Sequence, residues 1–336
     1  MRIGWRRFRL RAWQVERSGE PMDVLSLRGD VDVPSPGPGE IRMQVAAAGV
    51  GLPDVFMCRG VYALTPKLPF TPGQEAVGVV TEIGEGVSLQ IGDRVMAVSS
   101  FMVGSGSFAE QCLAGADFAM VVPPEMSDPD AAGFLIPFHT AYVALVRRAA
   151  LAAGESLLVL GAAGGSGSAA VALGRSLGAR VIATAGGGDK AEFCRSLGAD
   201  HVIDYREDEI AEGVREFTGG RGVDVVFDPV GGAAFTAATR CIAPEGRLLV
   251  IGFASGSWGR VEAPHLVNYN YSLMGVLPGR GYDRRFKEEA HAFLLERWRS
   301  GDLPVSIHGV YDFEEVPKAV DVLARGSAFG KVIVSL

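Results

Sequence analysis

The first third of the chain sets apolar residues in short alternating runs cut by glycine and proline. EIRMQV at 40–45 follows the turn-rich PSPGPG at 34–39, AVGVVTEI fills 76–83, and DRVMAV fills 93–98. A period of two with turn residues at the run ends predicts strands, so this region reads as a β-rich domain. Near Pro129 the texture changes, and the Ala-, Leu- and Val-rich stretch 131–153 predicts a helix leading into a new domain. From Ser156 onward, apolar runs alternate with helical patterns. Strands are predicted at 157–160, 181–184, 201–203, 223–227 and 247–251, with helices at 166–177 and 190–197 between them. Such alternation predicts parallel βαβ units and a doubly wound α/β sheet. After Gly256 the regularity fades, then resumes as a helix over 284–299 and a closing strand over 331–334. The expected division is 1–125, 126–265 and 266–336, the last segment returning to the first domain.

With 336 residues the chain has room for about two domains. Its 45 glycines are about twice the usual share, which implies many tight backbone turns. The formal net charge of −7 supplies no basic field for a phosphate backbone or an anionic membrane, so nucleic acid is disfavoured as a partner. Cys58, Cys112, Cys194 and Cys241 lie far apart with no C-x-x-C pair, which argues against a structural zinc site or a disulfide framework. The uncharged stretch 156–174 has the length of a membrane span. Its central GAAGGSGS instead reads as strand, turn and helix. The start, MRIGWRRFRLRAW, has arginines but no apolar core or cleavage pattern, so it reads as a short basic arm or an early start, and a cytoplasmic protein is expected.

The densest local signal is LLVLGAAGGSG at 157–167, an apolar strand running into a glycine-rich turn and then an alanine-rich helix. Glycine lets the backbone turn sharply and approach a pyrophosphate, and the helix N-terminus offers N–H groups to it. A plain strand-to-helix turn is the bland reading; the strand-turn-helix context favours a dinucleotide. An NAD site usually carries an acid at the end of the second strand. Here VIATAGGG at 181–188 offers Ala185 and glycines, so a 2′-phosphate meets no carboxylate, and Lys190, Tyr205 and Arg206 can face it. NADPH is therefore expected, against the alternative that Lys190 is a solvated first-turn lysine.

Taken together, AAGVGLPDVFMCRGVY at 47–62, LPFTPGQEAVGVVTEIGEGV at 68–87, the AAGGSG turn, SLGADHVIDYRE at 196–207 and FDPVGG at 227–232 are similar to the zinc-free medium-chain dehydrogenase/reductases. The closest likeness is to quinone oxidoreductases of the zeta-crystallin type, over nearly the whole chain. The resemblance implies a GroES-like β-rich catalytic domain, a Rossmann domain, a cleft between them and a homodimer. Zinc-dependent members hold their metal through Cys in G-V-C-H-x-D and His in G-H-E. Gly51 and Gln74 stand at those positions, so no metal is expected. Gly51 also stands where the family often has Asn, and Phe56 where the bacterial quinone reductases have Tyr, which puts the usual quinone preference in doubt.

By matching position, the resemblance places Thr140 at the nicotinamide side of the cofactor and Gly164, Gly165 and Ser166 at the pyrophosphate. Ala185, Gly186, Lys190 and Tyr205 surround the 2′-phosphate. Pro229, Val230, Gly252, Phe253, Ala254 and Val276 contact the nicotinamide ribose and carboxamide, and Lys331 lies near the cofactor or is an edge-strand lysine. Tyr62 is the one candidate proton donor, with a core or rim tyrosine as its bland reading. His139 beside Thr140 reads as structural. The implied activity is hydride transfer from NADPH to a quinone or an α,β-unsaturated carbonyl compound. Alternatives are a 2-enoyl thioester (enoyl-CoA) reductase, for which Arg280, Arg284 and Arg285 are the only nearby basic cluster, and an NADPH-binding protein with a regulatory or structural role and little catalysis.

Overall fold

The computed structural model describes residues 9–32 and 34–336. The arginines at positions 2, 6 and 7, on which the reading of a basic arm rested, lie outside the described residues. The strands in chain order are β1 Arg9–Val15, β2 Leu25–Asp32, β3 Glu40–Val50, β4 Glu75–Ile83, β5 Arg94–Ser99, β6 Gln111–Val121, β7 Ser156–Val159, β8 Arg180–Ala185, β9 His201–Asp204, β10 Val223–Asp228, β11 Ile242–Val250, β12 Ser272–Gly275, β13 Ile307–Asp312 and β14 Lys331–Ser335. The chain divides into two compact units, one running to Leu135 and resuming at Ile307–Leu336, the other Ile136–Ser306.

In the first unit one sheet runs β13-β14-β3-β4-β5-β6, and a further β3–β6 pairing from Glu40↔Gly115 to Gln44↔Gln111 closes β3, β4, β5 and β6 on themselves. The alternation of β3 explains its role. Ile41, Met43 and Val45 are buried, and they meet Val95, Ala97, Cys112 and Ala114 in one core. β1 and β2 form a separate antiparallel pair, tied down where the Trp13 indole N–H donates to the Phe313 carbonyl at 2.8 Å. The chain leaves this unit through the helix Asp128–Ala141, which continues as a π-helical stretch over Tyr142–Arg148.

The second unit is a six-stranded sheet in the order β12-β11-β10-β7-β8-β9, with every neighbouring pair parallel. This is the doubly wound dinucleotide-binding order, and its topological switch lies between β7 and β10. β7 (SLLV) and β10 (VDVVFD) are buried along their whole length, on both faces of the sheet. The helix Gly165–Ser176 packs close against β7 because a Cβ on Gly174 would lie 2.5 Å from Leu157 Cδ2.

The expected return at residue 266 is corrected by the structure. Residues 266–306 stay with the second unit, because β12 pairs in parallel register with β11 from Arg247↔Ser272 to Val250↔Gly275. A four-residue strand of mixed exposure gives no periodicity, which is why the sequence shows no sixth strand there. No helix among the described residues is long and apolar enough to cross a membrane.

Candidate functional site

In the second unit the loop after β7 is held from within. Gly161 N–H donates to Thr184 Oγ1 at 3.1 Å, Ala162 N–H to the Thr184 carbonyl at 3.0 Å, and Gly164 N–H to the Gly161 carbonyl at 3.0 Å. Gly161 takes φ +58, and a Cβ on Gly167 would sit 2.3 Å from the Gly161 carbonyl oxygen. Larger residues cannot build this turn. The 12-residue helix Gly165–Ser176 begins with no side-chain cap and no acid in its first turn. Its first N–H groups, from Gly165 and Ser166 onward, suit an anion. The residues present thus fit a pyrophosphate.

At the end of β8, Ala185 is buried, and the next two residues lie under Tyr205 and Arg206. A Cβ on Gly186 would meet Tyr205 Oη at 2.5 Å and Arg206 Nε at 3.0 Å; one on Gly187 would meet Arg206 Nη1 at 3.0 Å. The Lys190 ammonium is held below its ordinary value by burial and then by the Arg206 charge. Two cations and a phenol therefore gather over a glycine backbone, a donor set suited to a phosphate monoester. Arg206 belongs to this group as closely as Tyr205 does.

After β10, Asp228 is fully buried, and its Oδ1 accepts from Val230 N–H and Gly231 N–H, both at 2.8 Å. Burial raises its pKa. This carboxyl fixes the turn carrying Pro229 and Val230. The following turn is tied to it, since Gly252 N–H reaches the Asp228 carbonyl at 3.3 Å and Ala254 N–H the Pro229 carbonyl at 3.0 Å, with Phe253 between them. Val276 N–H donates to the Val250 carbonyl at 3.0 Å. These residues gather at the carboxyl ends of β10 and β11, the location the switch-point rule assigns to a ligand. Thr140 is buried and spends its hydroxyl on the Ile136 carbonyl at 2.6 Å. Beside it, His139 Nε2 lies 3.1 Å from His291 Nδ1. Burial lowers both imidazole pKa values, that of His291 to about 4, which supports the structural reading of His139.

The first unit carries a second polar group. Asp54 is wholly buried, and accepts Gly51 N–H at 2.8 Å and Gly73 N–H at 2.9 Å. Burial pushes its carboxyl up to about 7 against the pull of those two amides and of Lys331. Glu75 is paired with the Lys331 ammonium, which also donates to the Val50 carbonyl at 3.2 Å. The reading of Lys331 as an edge-strand lysine is corrected: β14 lies between β13 and β3, and the side chain is buried. Its ammonium is committed to Glu75 and Val50 within the first unit. Tyr62 is half-buried with its phenol hydrogen-bonded to Gln74; burial raises its pKa and that hydrogen bond partly offsets the rise. Sequence reasoning gave no role to Asp54 and read Gln74 only as the residue at the zinc-ligand position. Cys58 is buried, and burial pushes its thiol up to about 12, so it packs as an apolar group. Among the described residues no three His, Cys, Asp or Glu side chains gather as a metal site.

Two family models match: the alcohol dehydrogenase GroES-like domain over residues 37–124 and the zinc-binding dehydrogenase domain over 165–296. Quinone oxidoreductase-like protein 2 of Rattus norvegicus is 35% identical over 304 residues, covering 89% of this chain and 86% of the relative. The chain belongs to the quinone oxidoreductase family of the medium-chain dehydrogenase/reductases. It is an oxidoreductase of that superfamily, with a GroES-like domain and a Rossmann domain. Quinone oxidoreductase of Homo sapiens is 31% identical, covering 97% of this chain and 98% of the relative. The solved structure of Escherichia coli quinone oxidoreductase complexed with NADPH superposes with a TM-score of 0.88 at 28% identity, over 97% of this chain and all of the other.

Proposed function

We propose that the protein reduces quinones or α,β-unsaturated carbonyl compounds with NADPH and without a metal. The cofactor supplies the hydride; the protein binds and orients. Gly165 and Ser166 would hold the pyrophosphate, and Gly186, Lys190, Tyr205 and Arg206 the 2′-phosphate. Support for NADPH over NADH comes from Ala185 at the end of β8, where an acid would repel that phosphate, and from the crystallised NADPH complex of the Escherichia coli relative.

The observation that carries the metal-free reading is the set of side chains around Glu75. Glycine and glutamine stand where zinc-dependent relatives place thiolate and imidazole, and the nearby carboxylate is neutralised by Lys331. A glycine and a neutral amide are poor zinc ligands, so the acceptor must already be electrophilic. The thioester alternative is weakened because Arg284 and Arg285 pair with Glu288 and Glu289 on their own helix. A homodimer is supported by β12, an edge strand with Leu273 and Leu277 exposed beside it. A cytoplasmic location accords with four free buried cysteines. The test is NADPH consumption by chelator-treated protein with naphthoquinone, phenanthrenequinone, cyclohexenone and an enoyl thioester. Turnover with the first three is expected, and a requirement for added zinc would overturn the proposal.

A further inference from the structure

A cleft of about 190 Å³ opens within the second unit between Arg147, Arg148, Met274 and Tyr282. None of the residues assigned above to the cofactor lines it, and Arg147 follows Thr140 by about two turns of helix. Both arginines are exposed, and among the described residues neither makes an ion pair. Arginines in a last helical turn ordinarily serve the free carbonyls there. Here Arg247 takes that place: its guanidinium donates to the Ala149 carbonyl at 3.1 and 3.0 Å and pairs with Glu155 at 2.8 Å. The backbone that carries Arg147 and Arg148 is fixed as well. It is π-helical and closed by Ala149 N–H on the Ala144 carbonyl at 2.9 Å, a geometry found most often at functional sites. On the other side the Tyr282 ring stacks on Phe286 at 4.4 Å, and Phe286 meets Tyr142 of the π-helical stretch at 6.0 Å. One aromatic series therefore ties the two walls together.

Among the described residues no carboxylate lines the cleft. Those close by are engaged elsewhere: Asp283 Oδ1 accepts Phe286 N–H at 2.8 Å, and Glu289, whose charge reaches Tyr142, pairs with Arg285 at 2.8 Å. Two guanidinium forks and a phenol O–H offer more donors than a carboxylate can use, and they suit the three terminal oxygens of a phosphomonoester. Met274 and the Tyr282 ring add an apolar wall for the organic part of the ester. We propose that this cleft binds the phosphate group of a small organic phosphomonoester, at a site separate from the one that holds the NADPH phosphates.

The test uses the full chain saturated with NADPH, so that the phosphate positions of the cofactor are filled, and titrates phenyl phosphate, inorganic phosphate and benzoate by calorimetry. Phenyl phosphate is expected to bind wild type with a Kd below about 1 mM, and about tenfold or more tightly than either of the other two. The double variant Arg147→Gln with Arg148→Gln is expected to weaken phenyl phosphate by about 30-fold or more, and Tyr282→Phe by about three- to tenfold. NADPH affinity and melting temperature should hold in both, since the arginines are exposed and Tyr282→Phe keeps the stacked ring. Inorganic phosphate bound as tightly as phenyl phosphate would make free phosphate the occupant and overturn the ester. Benzoate bound as tightly would show attraction by charge alone and overturn the assignment to phosphate. Phenyl phosphate held by the double variant within about twofold of wild type, or not bound by wild type at about 10 mM, would overturn the site itself.

Discussion

Replacing Lys331 with methionine separates two accounts of that lysine by the size of the damage. Lys331 and Glu75 are both buried, at 7% and 3% exposed, so the variant strands a carboxylate in a site that also holds the Asp54 carboxyl. Breaking a buried pair by removing one partner costs about 3–5 kcal/mol, because the group left behind has neither water nor a counter-charge. A neutral pair, Glu75→Gln with Lys331→Met, strands no charge and is expected to recover to within about 1 kcal/mol of wild type. Urea unfolding, followed by circular dichroism and tryptophan emission, measures all three proteins. A loss below about 1 kcal/mol for the single variant refutes the reasoning. Weakened NADPH binding with unchanged stability would instead place the ammonium at the cofactor.

Further outcomes follow from the same structure. Lys190→Ala and Arg206→Ala are each expected to weaken NADPH about 10- to 100-fold, the worth of one charged hydrogen bond, and to leave NADH almost untouched; equal losses for both cofactors in titration calorimetry would remove these residues from the 2′-phosphate. Gly167→Ala puts a methyl group where the Gly161 carbonyl oxygen lies 2.3 Å away, so cofactor binding should be lost by fluorescence titration; wild-type affinity would show that the turn can shift. Asp224 would be raised by burial, but Arg221 and Ser156 outweigh this and hold it at about 2. Its contribution of about 2 kcal/mol is complete above about 3.8 and lost as pH falls through about 2, so Asp224→Asn should flatten the acid limb of the stability curve; a curve parallel to wild type would assign the acid loss elsewhere.

The second unit was legible because its signals are local. A buried parallel strand, a glycine turn and a helix follow one another within about twenty residues, and the 157–167 segment holds all three. The β-rich character of the first unit was legible in the same way, through the alternation of β3 and β4. Its closure was not, because the β3–β6 pairing joins Glu40 to Gly115 across a separation that no local pattern encodes. β6, Gln111–Val121, escaped notice because Gly115 and Ala116 interrupt its alternation. At the candidate site the glycines and Lys190 were visible as motif positions. The Lys331 pair with Glu75 depends on β14 lying against β3, a contact between residues nearly 300 apart in sequence, and Asp54 is tied to Gly73 in a different loop.

The most direct test of the central claim is NADPH oxidation by protein stripped of metal with a strong chelator and verified as metal-free by elemental analysis, with naphthoquinone and cyclohexenone as acceptors. The account predicts turnover that added zinc does not raise, with deuterium from the labelled dihydronicotinamide appearing at the β-carbon of cyclohexanone. Activity only when zinc is restored, or product formed without the label, would contradict it.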